Sequence, residues 1–461
     1  MVIDSDSQFF VFRSPNVHSL EINYCMHVLR LLVFAVPVQL VPLYGGTRDF
    51  GYYFVDVAVG SPPQRLSAIV DTGSEGFTVT CTACQDCGTV HMDPFFNPDI
   101  SSSFERLEQC PAARLRNPSC TFEKKYLEGS SLRGRFFVDI IQISDSAIIK
   151  TSQFGCIEAE TKLFLEQKAN GILGLAPSQN ANFLTSPTPI EAFSLCLALE
   201  GGELDLHTSI AKPVDAIPLR YRDNHYVVEP VEISLHGGTN KSFWSSANST
   251  DPVSSFIGTK ALIDSGSTIT YLRDALYQIL IKYIEDQIME LRPQLTEERS
   301  GPSLCWVHAS GLAIAPYLPV VEFYFAREDG NGTVSAKFKD YSHTESAGLG
   351  REKTCLTVAS NHRLSRTDFG ASWMLNKRIT FSTSGGWLHL SETLCPRTSL
   401  DQRPPVIALP GQIVPRVNFF DVHVLAILGV MGIFSFFLIA IIRSSLTKYA
   451  RTPMPSSTQI E

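Results

Sequence analysis

The chain has 461 residues, with 38 Lys and Arg against 46 Asp and Glu, for a formal net charge of -8. With 44% apolar and 18% charged residues, and ordinary Gly and Pro counts, a disordered or collagen-like chain is excluded and two or three domains are expected. The mild acidity excludes broad nucleic-acid binding, which needs clustered Lys and Arg.

Taken in chain order, residues 1–44 read as an N-terminal extension followed by a signal peptide or a retained signal anchor. The apolar run 29–41 has signal length, and a normal signal sequence could start at Met26. Tyr52 to Val59 is rich in β-formers and ends in the turn sequence Gly60-Ser-Pro-Pro, so it reads as a strand. Arg135 to Ile141 and Val320 to Phe325 read as strands in the same way. One helix is expected over about 273–291, with apolar residues at 276, 279, 280, 283 and 284. Residues 401–421, with Pro404, Pro405, Pro410 and Pro415, read as a stalk. Residues 422–442 carry one His and no Lys, Arg, Asp or Glu, and are long enough for a membrane helix. Arg443, Lys448 and Arg451 follow, so the positive-inside rule makes 443–461 a cytoplasmic tail and leaves the rest lumenal or external.

Three sequons, at Asn240, Asn248 and Asn331, agree with that side of the membrane as glycosylation candidates. Setting aside Cys25, ten cysteines remain, an even number that allows up to five disulfides in an oxidising compartment.

An internal repeat organises the molecule. Ile69-Val-Asp71-Thr72-Gly73-Ser74 recurs as Leu262-Ile-Asp264-Ser265-Gly266-Ser267. Gly174 follows Asp71 by 103 residues and Gly370 follows Asp264 by 106, each in an apolar segment. The expected architecture is mostly β and bilobal, with lobes 45–200 and 201–400 each presenting one Asp on a turn.

Asp-Thr/Ser-Gly has a physical logic. Gly permits an approach that a Cβ would block. Thr72 and Ser265 can hydrogen-bond across to the opposite turn, and Ser74 and Ser267 can hold the carboxylates. Two adjacent carboxyls cannot both ionise easily, so they share a proton. One then serves as base toward a water while the other donates to a carbonyl oxygen, which hydrolyses a peptide bond without cofactor or metal. Neither a Gly-x-Ser-x-Gly elbow nor a His-Glu-x-x-His helix is present as an alternative.

On these residues the chain resembles the pepsin-like aspartic proteases over roughly 48–397. Asp71 and Asp264 match that family's catalytic pair, and Tyr126-Leu-Glu128-Gly129-Ser130 matches its substrate-covering flap. Phe193 to Cys196 and Gly201 to Leu206 match the segment between lobes, and Ala371-Ser372 to Lys377 with Phe381 matches the end of the second. Within the family the chain resembles the plasmepsin V group of apicomplexan parasites, through Cys81-x-x-Cys84-x-x-Cys87-Gly-x-x-His91 and the carboxy-terminal apolar segment. The resemblance implies a membrane-anchored endopeptidase in the endoplasmic reticulum or Golgi, with the cell surface as an alternative. It implies as substrates extended segments of secretory-pathway proteins, cut after an Arg-x-Leu type motif. A broad-specificity protease and an inactive peptide-binding protein are the alternatives. Thr78, Phe369, Ser382 and His207 depart from the family's usual residues, away from the pair.

Cys81, Cys84, Cys87 and His91 have spacing that suits zinc, but an oxidising lumen favours disulfides among Cys81, Cys84, Cys87, Cys110, Cys120 and Cys156. Six cysteines allow fifteen connectivities, which stay open. In the second lobe Cys305–Cys355 is expected, with Cys196–Cys395 tying the lobes. Glu128 is expected to read an incoming Arg through its fork of donors. Fewer than ten residues separate the first apolar run from Gly51, so no acid-triggered self-cleavage is expected.

Overall fold

The computed structural model describes residues 39–107, 120–143, 148–177, 184, 189–237, 243–246, 260–362, 366–384 and 386–412. Residues 1–38, the expected membrane span 422–442, the tail 443–461, Cys110, Asn240 and Asn248 lie outside them. Among the described residues no helix is long and apolar enough to cross a membrane.

Among the described residues the strands form four sheets, the largest with 14 strands. Tyr52–Val59 pairs antiparallel with Gln64–Asp71 through the Gly60-Ser-Pro-Pro turn. Leu66, Ala68 and Val70 are all buried, so this second strand enters the core and carries Asp71 at its end. Gln64–Asp71 then runs parallel to Gly171–Leu175, with Asp71 beside Gly174. The other half repeats the device: Ala261–Ile263 lies parallel to Thr367–Phe369, and the Asp264 amide donates to the Phe369 carbonyl at 2.9 Å. The two downstream glycines are crossing points. A Cβ on Gly174 would lie 2.5 Å from the Ser74 carbonyl oxygen, and one on Gly370 would strike that of Ile269. Strand and Asp turn pass too closely there for any side chain.

A shared sheet joins the halves. It is part of the 14-stranded sheet, where Gln39–Gly46, Glu200–His207, Ala192–Leu197, Lys377–Ser382 and Trp387–Glu392 continue from the strands of the first lobe. Residues 39–44, grouped from sequence with the signal segment, are therefore a strand of the folded body, with Val41 and Leu43 buried. An uncharged apolar run reads alike whether it enters a membrane or a core. The boundary drawn at residue 200 falls beside the hairpin joining two strands of this sheet. Phe193 and Phe381 stack at 4.8 Å within it, and Cys196–Cys395 closes a disulfide over it.

The second lobe holds the helix Asp274–Gln287, shorter at its C-terminal end than the apolar spacing suggested. Leu276, Tyr277, Leu280, Ile284 and Gln287 are its buried residues, and Pro293 follows in a 3-10 turn. Phe369, where the family resemblance led one to expect Leu, stacks on Trp373 at 4.1 Å and packs edge-on against Phe323. Cys305–Cys355 bridges adjacent strands of a four-stranded sheet.

The proline-rich segment expected to be a stalk is, over residues 401–412, seated on the folded body. Residues 401–412 lie on the first lobe. Arg403 reaches Asp56 and Asp93 and lies 5.5 Å from the Phe54 ring. Arg65 donates to the Pro404 carbonyl at 2.8 Å, Asn97 to that of Gly411 at 2.8 Å, and Gln412 to Gln64 at 2.9 Å. Prolines cannot donate to a strand ladder, so side chains of the first lobe hold the segment instead.

Candidate active site

The two Asp turns meet at the junction of the lobes. The Thr72 amide donates to Ser265 Oγ at 3.0 Å, and the Ser265 amide donates to Thr72 Oγ1 at 2.9 Å. Each hydroxyl in turn donates to a main-chain carbonyl of the opposite strand, Thr72 to Ile263 at 2.9 Å and Ser265 to Val70 at 2.7 Å. Four reciprocal bonds between buried groups fix the turns to one another.

The carboxylates are held alike. Asp71 Oδ1 accepts the Gly73 amide at 2.8 Å and Oδ2 accepts the Ser74 hydroxyl. Asp264 Oδ1 accepts the Gly266 amide at 3.0 Å and Oδ2 accepts Ser267 Oγ at 2.7 Å. A Cβ on Gly73 would run into Asp264 Oδ1, and one on Gly266 into Asp71 Oδ1, so each carboxylate rests on the other turn's glycine. Asp71 is buried and Asp264 half-buried. Burial first, and then the charge of Asp264, push the Asp71 carboxyl up to about 7, against the lowering effect of Ser74 and Gly73. Asp71 therefore keeps its proton up to near-neutral pH.

The flap covers this pair. Thr121–Lys125 and Ser131–Ile143 form its hairpin, and the turn closes with Tyr126 N–H to Ser130 O and Gly129 N–H to Tyr126 O, both at 2.9 Å. Gly129 has a φ of 94°, which its lack of a side chain allows. Tyr126 packs edge-on against Phe164 at 5.0 Å. Its hydroxyl lies buried beside Ser74, without a hydrogen bond of ordinary geometry. Burial, then the charge of Asp71, push that hydroxyl far up, so it stays protonated. Glu128 is exposed at the flap tip, and its charge acts on Tyr271 of the second lobe, across the cleft.

The cysteine insert is stapled rather than metal-binding. Cys81 bonds Cys156 and Cys84 bonds Cys87, which removes three of the four zinc-spaced ligands. His91 is buried, with Nδ1 at 2.9 Å from the Ala169 carbonyl and Nε2 at 3.1 Å from Glu160. Cys120 is also disulfide-bonded. Among the described residues, one His/Cys/Glu group is close enough to share an ion: His343, Glu345 and Cys355. Its sulfur is already in the Cys305–Cys355 disulfide. Asn331 is exposed on a turn.

Two features beside the pair escaped sequence reading. Lys124 reads as one member of the charged run Glu123-Lys124-Lys125, yet it donates to the Glu75 carbonyl, four residues after Asp71. Strand alternation was the available signal, because Phe122, Lys124 and Tyr126 share one face. The bracing of the flap by Phe164 had no sequence signal, since it depends on a contact between distant segments.

Two lobes with one aspartate each, facing across reciprocal turns under a hairpin flap, define the pepsin-like aspartic protease class. Comparison with known proteins agrees. Residues 53–205 match the family described as xylanase inhibitor N-terminal, and 226–392 match xylanase inhibitor C-terminal. Plasmepsin V of Plasmodium falciparum is 33% identical over 179 residues, 35% of this chain and 30% of that protein. Aspartic protease 5 of Toxoplasma gondii is 31% identical over 197 residues, 35% of this chain and 20% of that protein. Aspartic proteinase nepenthesin-2 of Nepenthes gracilis is 26% identical over 350 residues, 71% of this chain and 74% of that protein. The chain thus spans less than a third of the plasmepsin V and aspartic protease 5 lengths, and most of nepenthesin-2. It belongs to the pepsin-like aspartic protease family.

Proposed function

We propose that the chain is a membrane-anchored aspartic endopeptidase of the secretory pathway, acting on extended peptide segments. The observation that carries this reading is the facing pair Asp71 and Asp264, with the Asp71 carboxyl held up by burial and by its neighbour. In the reaction the ionised member takes a proton from a water bound between the two. The oxygen of that water bonds to the scissile carbon, and the protonated member gives its proton to the carbonyl oxygen. The resulting diol collapses: the C–N bond breaks, the member that took the water's proton gives it to the amine nitrogen, and a diol hydroxyl gives its proton to the other member, so the pair again holds one proton. Tyr126 and Gly129 close the flap over the peptide, which lies along the cleft as an added strand.

For specificity, the reading is cleavage after an Arg-x-Leu type motif, with Glu128 as the partner of the Arg. Its exposed carboxylate at the flap tip faces the second lobe and can take a guanidinium in a two-pronged bond. The site of action proposed is the endoplasmic reticulum or Golgi membrane with the catalytic part lumenal, the cell surface being the alternative.

The test is a peptide-library cleavage profile of the lumenal part, with Asp71→Asn and Glu128→Gln beside the wild type. Turnover lost in Asp71→Asn and an Arg preference lost in Glu128→Gln are expected. An unselective profile would point to a broad-specificity protease. The matched families are described as xylanase inhibitors, which favours a second reading: a peptide-binding protein that does not cut. Peptide binding without turnover by the wild type would establish it.

A further inference from the structure

Lys124 stands on the flap strand Thr121–Lys125, two residues before Tyr126. The side chain is half-buried, and its ammonium donates to the main-chain oxygen of Glu75 and lies against Gly76, in the segment that leaves the first Asp turn. Its only hydrogen bond among the described residues is this one, and no direct ion pair is formed there. One carbonyl uses one of three ammonium donors and does not offset a desolvated charge. Nearby anions must do so. Burial lowers the Lys124 pKa, and the charges of Asp71 and Glu75 work against that lowering, in that order. Glu75 Oε2 is itself buried without a hydrogen-bond partner among the described residues.

We propose that Lys124 is a positioning residue for the catalytic pair: its enclosed ammonium, tied to the strand that follows Asp71, is a fixed positive charge that sustains the single negative charge shared by Asp71 and Asp264. The proposal rests on the protease reading above. Other groups that face the region are Tyr126 and Glu128 on the flap, Asp264 on the second lobe, and Lys162, whose ammonium packs against Gly129 at the flap tip. Of the two lysines, Lys124 is the one whose ammonium sits on the inner side of the hairpin, next to the segment after Asp71. A cation there favours the ionised form of a carboxyl, so the pair accepts its first negative charge at lower pH than burial alone would allow.

The sign follows directly. Without the ammonium, both ionisations of the pair move to higher pH. The test measures kcat/KM against pH for wild type, Lys124→Met, Lys124→Gln and Lys124→Arg on one peptide. Lys124→Gln keeps a donor for the Glu75 oxygen and removes only the charge. Both limbs of the profile should rise by roughly one pH unit in the Met and Gln variants and return toward wild type in Arg. A Gln profile that superimposes on wild type, or activity lost at every pH without displacement of the limbs, overturns the proposal. Carbon-13 NMR titration of the Asp carboxyls reads the same shift without turnover, so a wild type that does not cleave sinks the protease reading and leaves this one measurable. Should no Lys124 variant fold, nitrogen-15 NMR of the lysine ammonium in Asp71→Asn decides. Its pKa falls if the two charges are coupled and stays unchanged if they are not.

Discussion

Arg403 and Asp93, 310 residues apart in the chain, meet at 2.7 Å, the carboxylate fully buried and the guanidinium side chain 9% exposed. Asp56 accepts from the same guanidinium at 2.8 Å. The second lobe's last segment is thereby fastened to the first lobe. Removing the cation leaves the buried Asp93 carboxylate without its ion-pair partner, while Asp56 keeps Arg65, and an unpaired buried charge is costly. Arg403→Ala should lower unfolding free energy by about 3 kcal/mol. A thermal melt checks this, and a soluble chain ending at 400 should melt well below one ending at 412. Equal melting of the two chains would mean the segment merely rests on the surface.

Gly266 is where Asp71 rests on the opposite turn. Gly266→Ala should push the Asp71 carboxylate away and reduce kcat by at least about a hundredfold, because misplacement by an ångström has that scale of effect. Stability should change by only about 1–3 kcal/mol. Peptide turnover and a denaturant curve separate the two effects.

The Asp71 carboxyl, held up at about 7 in the fold, predicts how both activity and stability respond to pH. The folded pKa lies above the unfolded value, so the folded state binds the extra proton between about 4 and 7 and loses stability as pH rises through that window. Asp71→Asn lacks this loss. It should be more stable than wild type at pH 7.5 by about 1–3 kcal/mol, with the difference shrinking toward pH 4. Urea unfolding at the two pH values measures it. Wild-type turnover should fall as pH rises past about 7, where the pair gives up its remaining proton.

Cys196 and Cys395 are bonded across a sequence separation of 199. Replacing both by Ala should cost about 2–4 kcal/mol, chiefly by freeing the unfolded chain. The pair of Asp turns is held by its own four hydrogen bonds, so kcat at low temperature should stay near wild type.

Much of the site was legible because its parts are local. Asp-Thr-Gly-Ser and Asp-Ser-Gly-Ser each carry a carboxylate, the glycine beneath it and the hydroxyl that holds it within four residues. The flap turn is local too, and so were the strands around Tyr52–Val59 and Val320–Ala326. Reading failed where one pattern serves two fates. Residues 39–44 are apolar enough for a signal and became a strand of the joining sheet. The prolines after 401 mark irregular backbone, and contacts with Asp56, Gln64, Arg65, Asp93 and Asn97 decide that this backbone is docked.

The sequence by itself determined the repeated turn, the chemistry two such turns can perform, and the glycines at 174 and 370 that let strands cross. These follow from backbone sterics and from side chains within hydrogen-bonding reach of their own turn. The tertiary structure alone decided that Asp71 is buried while Asp264 is half-open, that Cys81 pairs with Cys156, and that the Lys124 ammonium sits on the inner side of the hairpin. Burial, disulfide partners and the field at a carboxyl are set by segments far apart in the chain, and no local spacing encodes that distance.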